Sequence, residues 1–317
     1  MVLNEGLFQL NNASMSWVDL ESGTVNNQIF EERTGRKIGD TGNDMLVYGS
    51  KLYLVTSVSS TLEILNANDL TSLKQLSIVE NGTAQQPQNL TAINGEVYIS
   101  TFGGKVWVID TTTLDVKTKI QVGLNPDKIA NDGTYIYVSN SGGLNNPIYD
   151  STVSVINPIT KQELKRIVLD INPSEILVGS DNSLYVITRG NYTSVPAKLH
   201  RINRQTLERD TTFAIEAIYL ESFSNTHFLV AYTNSVGKLE LAKFNMQTQQ
   251  IEAKNFIDIS QYTTFYGIHY ESSTQQFILN DAHSYTTSGE IKIYNQSGQF
   301  LKSYLVGLNP GKILVKP

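Results

Sequence analysis

Apolar residues along the chain come in runs of about five, rich in Val, Ile, Leu, Tyr and Phe, each bounded by Gly, Asn, Asp or Pro. Residues 127–168 show the pattern most plainly. Asp127-Lys-Ile-Ala-Asn131, Tyr135-Ile-Tyr-Val-Ser139, Thr152-Val-Ser-Val-Ile156 and Glu163-Leu-Lys-Arg-Ile-Val168 read as four consecutive short strands. Nowhere does an apolar period of 3.6 persist long enough to predict a long helix.

The four-strand unit repeats. Val122-Gly-Leu-Asn-Pro-Asp-Lys-Ile129 recurs as Val306-Gly-Leu-Asn-Pro-Gly-Lys-Ile313, 184 residues or four times 46 later, with a weaker copy at Asp170-Ile-Asn-Pro-Ser-Glu-Ile176. A second register has the same period. An Asp or Asn closes a strand at positions 19, 66, 110, 157, 203, 245 and 295, at intervals of 47, 44, 47, 46, 42 and 50. Seven copies of a four-stranded unit predict an all-β, seven-bladed β-propeller, a single domain over residues 1–317. The seven Asx residues read as turn starters, because their side chains can bond the backbone two residues on. Leu46, Leu90, Ile129, Ile176, Ile218, Ile268 and Ile313 are expected to form the packed layer of the first strands.

The chain begins with a second strand, Val2 to Glu5, and ends with a first one, Gly311 to Lys316. Pairing the two would complete the seventh blade and remove two strand edges.

Composition narrows the function. With 317 residues, a net charge of -6 and no local run of Lys and Arg, the chain lacks the basic surface that nucleic acid or an anionic membrane requires. No Cys is present, which rules out disulfides, thiolate metal sites and a cysteine nucleophile within this sequence. No apolar run reaches the length of a spanning helix. Met1-Val-Leu-Asn-Glu-Gly6 already reads as a strand ending in a turn. The expectation is therefore that a leader has been removed ahead of it, a natural start at Met1 being the alternative.

Tyr137-Val-Ser-Asn140, Thr152-Val-Ser-Val-Ile-Asn157 and Val122-Gly-Leu-Asn-Pro126 resemble the repeat of YVTN-type propellers, also called surface-layer or YncE-like propellers. The opening Val2-Leu-Asn-Glu-Gly6, with Asn11-Asn-Ala-Ser-Met-Ser16 after it, is similar to a group of exported surface propellers of Gram-negative bacteria. Some of these are lipoproteins beside outer-membrane uptake systems, and one branch captures cobalamin. The resemblance implies an exported location, at the cell surface or in the periplasm. The anchoring cysteine it implies upstream does not occur in this sequence.

A binding site is expected where the loops depart from the repeat. The connection between the second and third strands is short at 57–60, 102–104 and 234–237, but long at 6–13, 141–151, 190–197 and 282–289. In a propeller all of these leave one face, together with the connections 31–43 and 80–88, and loops on a rigid scaffold are where function concentrates. The long ones carry Phe8, Asn11 and Asn12, then Tyr149, Arg189 and Tyr192, then His283 and Tyr285. Aromatic area combined with amide and guanidinium donors suits a small molecule or glycan with both apolar surface and many polar groups.

Catalytic signals are weak. The positions preceding the seven aliphatic residues, expected at the channel mouth, are Met45, Asn89, Lys128, Glu175, Ala217, Gly267 and Lys312. Two lysines and one carboxylate do not suit a lactonase-like metal centre. His200, His227, His269 and His283 have no metal-ligand spacing, and His269 reads as a core residue. Glu31-Glu32 reads as a solvated loop pair, and Gly103-Gly104 and Gly142-Gly143 as turn glycines. The expectation is a non-catalytic binding protein, with no cofactor and no metal. Its partner would be a small-molecule or glycan ligand, or alternatively an outer-membrane transporter on which it docks. A metal-dependent propeller enzyme is the third reading.

Overall fold

A computed structural model describes residues 1–316. The strands form seven four-stranded antiparallel sheets, the blades of the β-propeller that the repeat predicts. Blade 1 spans 42–77, blade 2 87–121, blade 3 126–168, blade 4 173–213, blade 5 216–257 and blade 6 265–308. Blade 7 is composite. Its strand order is Val25–Asn26, Ser14–Val18, Val2–Asn4 and then Pro310–Ile313. Val2 pairs with Ile313 and Leu3 with Lys312, so the C-terminal strand supplies the missing first strand as expected. The chain divides into two compact units, residues 1–90 with those from 261 onward, and residues 91–260.

All seven strand-closing Asx residues do the same work. The side-chain oxygens of Asp19, Asn66, Asp110, Asn157, Asn203, Asn245 and Asn295 each accept the N–H of the residue two positions on. Each starts the turn into the fourth strand.

Within the second unit, buried tyrosines make a recurring contact. Tyr98 donates to Glu96 and Tyr137 to Asp132, at 2.6 and 2.8 Å. A cation from the following blade closes on each carboxylate: Lys161 on Glu96, and Arg204 on Asp132 at 3.1 Å. Burial, reinforced by the neighbouring carboxylate, raises both phenols well above their ordinary pKa. Burial also opposes ionisation of Asp132, but the N–H groups of Tyr135 and Thr134, the Tyr137 hydroxyl and Arg204 hold its carboxyl below the usual range.

The aliphatic layer differs from expectation in four blades. Leu90, Ile129 and Ile313 are buried, whereas Leu46, Ile176, Ile218 and Ile268 are only partly buried. In blades 1 and 5 the preceding residues, Met45 and Ala217, are the ones enclosed, and so neither is the exposed group expected there. The first strand is bulged in both, between Gly42 and Asp44 in one blade and between Ala217 and Tyr219 in the other, although blade 3 is bulged between Pro126 and Ile129 and keeps Ile129 buried. Glu31 and Glu32 also depart from the expected loop. They lie on a short helix, Ile29–Thr34, whose Ile29 and Phe30 are buried. Arg36, just beyond it, forks onto the fully buried Glu63 carboxylate at 2.6 and 2.5 Å and fixes the segment to blade 1.

Deleting residues 311–317 would remove the buried Ile313 and the packing of Leu314 and Val315. The lost apolar burial is on the order of 5 kcal/mol, comparable with the stability of many domains. We expect the truncated chain to show no cooperative thermal transition near that of the full chain. A melting temperature within a few degrees would contradict the closure.

Candidate functional site

The long loops are closed off at their bases by glycine. Gly142 and Gly190 have φ of 60° and 64°, and a Cβ on either would overlap the returning arm, 2.1 Å from Asp150 N and 1.9 Å from Val195 O. Only a residue without Cβ fits such a crossing. Gly6, at φ 78°, faces Ala13 N in the same way. Gly142, read from sequence as a turn glycine, is therefore a loop-base residue.

The repeated Asn-Pro segments hold these loops. Asn125, Asn172 and Asn309 have φ of 42°, 63° and 56°, a left-handed conformation that asparagine tolerates better than most residues. Their carbonyls accept the N–H groups of Ser141, Arg189 and Glu5, at 3.2, 2.9 and 2.9 Å. Gly142 N and Gly6 N then bond Leu124 O and Leu308 O, so the two best copies of the repeat make the same pair of bonds. The side chains grip as well. Asn172 Nδ2 donates to Gly190 O and to the Tyr192 hydroxyl, both at 3.2 Å, and Asn309 Nδ2 donates to Gly6 O at 2.8 Å. Asn125 bridges two loops, donating to Phe102 O and accepting from Leu144 N. The sequence repeat thus marked the loop anchors, although only its strand role was read from it.

In the first unit, Asp40 accepts Gln9 N and Asn11 N at 3.1 and 2.8 Å, and Asn12 Oδ1 accepts Leu7 N at 2.7 Å. Phe8, on the loop so held, is 70% exposed. The loop after blade 6's second strand is held by Asp281, which is 1% exposed and accepts the N–H groups of Thr263, Thr264 and His283. His283 Nδ1 lies 2.8 Å from Ser288 O. The ring of Tyr285 meets Tyr266 edge-on at 5.9 Å, and Tyr266 donates to Glu5 at 2.6 Å. Neither Tyr266 nor Glu5 was singled out from sequence, since nothing in the repeat distinguishes them. A cleft of about 560 Å³ lies beside these loops, with Asn12, Asn27, Gln28, Glu31, Lys37 and Ser288 among its walls.

In the second unit, Arg189 and Tyr192 come together with residues that the metal argument had set aside. Burial works against the charge of Arg189, but Asp127, Tyr192 and Glu175 keep its guanidinium above the ordinary value. Asp127 shows the opposite balance. Burial raises its carboxyl despite the nearby Arg189 and Lys128. Lys128 pairs with Glu175 at 3.4 Å. Two cations and two carboxylates thus surround the base of the loop that carries Tyr192, which is 68% exposed. Tyr149 is half-buried at the end of its loop, where Leu144 and Ile148 stand out with Leu124. No group of three or more His, Asp or Glu side chains is placed to hold a metal among the described residues. No helix among them is long and apolar enough to cross a membrane.

These features define the class: a seven-bladed β-propeller whose extended second-to-third strand loops are tied to the sheets by Asx side chains. Within that class the chain belongs to the family described as domain of unknown function DUF5074, whose model matches residues 1–307. No curated protein matches it. Among solved structures it is similar to hydrazine synthase of Kuenenia stuttgartiensis, with TM-score 0.67 and 14% identity over 83% of this chain and 85% of that one. It is also similar to dihydro-heme d1 dehydrogenase NirN in complex with DHE. That TM-score is 0.64 at 13% identity, with 98% of this chain but only 64% of that one covered. Identities this low carry the fold alone.

Burial opposes ionisation of Asp281, but the N–H groups of Thr264 and His283, then Lys292 and Thr263, depress its pKa. A depressed carboxylate stabilises the fold above its unfolded pKa of about 3.9, and the stabilisation is lost as pH falls through the folded value. Asp281→Asn should therefore cost about 2 kcal/mol at pH 7, the scale of buried charge-assisted bonds. In urea unfolding the deficit should shrink below about pH 4. An equal deficit at both pH values would show that charge is not what Asp281 contributes.

Proposed function

We propose that the chain is a single propeller domain acting as a non-catalytic binding protein, exported to the periplasm or cell surface. Its long loops capture a small molecule such as cobalamin, or a glycan. One observation carries this reading: in each unit the long loops expose rings and aliphatic tips on bases rigidly held by buried Asx groups. Phe8 and Tyr285 in one unit, and Tyr192 and Ile148 in the other, are exposed beside amides and a guanidinium. Rigid aromatic anchors with directional polar neighbours suit a ligand having both apolar faces and many polar groups. Cobalamin has that character, and the opening motif's resemblance to cobalamin-capturing surface propellers supports it. Phe8, Asn11, Asn12, Tyr149, Arg189, Tyr192, His283 and Tyr285 are the proposed contacts.

A second reading has its own observation. Leu124, Leu144 and Ile148 expose aliphatic side chains on the 141–151 loop and its anchoring segment, Ile148 to 74%. Such a patch favours docking on a protein, for which an outer-membrane transporter is the candidate.

Isothermal titration with cyanocobalamin tests the first reading. Binding should weaken about thirtyfold in Tyr192→Ala and Arg189→Ala, the effect of losing a buried anchor worth about 2 kcal/mol. No heat with cobalamins removes the corrinoid reading, and a ligand indifferent to both substitutions removes these contacts.

A further inference from the structure

The cleft of about 560 Å³ in the first unit has an unusual donor set. Asn12 and Asn27 both face it, and both have their carbonyl oxygens engaged by the protein. Asn12 Oδ1 accepts Leu7 N, and Asn27 Oδ1 accepts the Ser16 hydroxyl, each at 2.7 Å. What remains to a ligand is therefore the two amide NH2 groups, fixed in orientation by those bonds. Glu31 and Lys37 stand on the same walls, and neither side chain has an ion-pair or hydrogen-bond partner among the described residues. Ser14 and Ser288 add hydroxyls. The volume lies in the range of small-molecule sites. No aromatic side chain lines the cleft itself, so a flat apolar ring system has nothing to stack on within it.

We infer that this cleft is a saccharide-binding site. Sugar hydroxyls both donate and accept, and so each can answer an amide or ammonium donor on one side and the Glu31 carboxylate on the other. Lys37 favours sugars bearing a carboxylate. The inference rests on the loop-borne binding reading and deepens it by assigning one ligand class to one cleft.

The test uses the whole chain. Immobilised neutral and uronic-acid oligosaccharides are screened first, and the best binder is then titrated calorimetrically. Asn27→Ala, Glu31→Gln and Lys37→Ala should each weaken binding about tenfold or more. Glu31 and Lys37 are exposed, so their substitution leaves the fold intact. Ile159→Ala, in the other unit and outside every proposed contact, should leave saccharide binding unchanged. Saccharide binding that survives all three cleft substitutions overturns the site. No saccharide binding by a protein that still binds cobalamin overturns the site and leaves the loop reading standing. Silence toward both probes overturns the two together.

Discussion

A left-handed asparagine before a proline anchors three of the four long loops of this protein. At Asn125, Asn172 and Asn309 the backbone turns into the first strand of a blade while its carbonyl captures the start of a long loop. Proline at the next position fixes φ and has no N–H to satisfy, so the chain enters the strand in one way. The amide side chain then reaches a loop carbonyl that would otherwise lie buried without a partner. Each bond contributes roughly 1 kcal/mol. Acting with the glycine crossings, such bonds turn insertions of eight to eleven residues into fixed platforms rather than mobile loops. Blades 3, 4 and 7, which carry Asn-Pro, are three of the four with a long loop. In blade 6 the buried Asp281 takes over the role.

Much of this was legible in the sequence because the repeat is physical. Each Asx that closes a third strand must start the same turn, and hence all seven positions recur at one period and all seven make the same bond. The composite seventh blade was legible for a related reason, since a chain that starts at a second strand and ends at a first has one way to satisfy both edges. The packed layer was read less well. Period-2 reasoning assumes an unbroken strand, and several of the first strands carry bulges. The helix Ile29–Thr34 is too short for a periodic signal, and it is held largely by Phe30 burial and by the Arg36–Glu63 fork.

The long loops were legible in the sequence, but the charged groups around their bases were not. Arg189 and Tyr192 are adjacent in sequence, and their association follows from that. Asp127 and Glu175 belong to two different blades, and only the packing of first strands brings both toward Arg189. Lys128 and Glu175 looked like incompatible charges for a metal, whereas in the fold they neutralise each other. Partly buried charges of both signs thus surround the base of the loop that carries the exposed Tyr192.

If the Asn-Pro anchors make the loops rigid, amide hydrogen exchange of Asn172→Gly will register the loss. Glycine keeps the left-handed backbone and removes only the side-chain bonds to Gly190 and Tyr192. Exchange should be at least tenfold faster for the amides of residues 189–195, with the strands of blade 4 unchanged. Protection in that loop equal to that of the unsubstituted protein would contradict that anchoring.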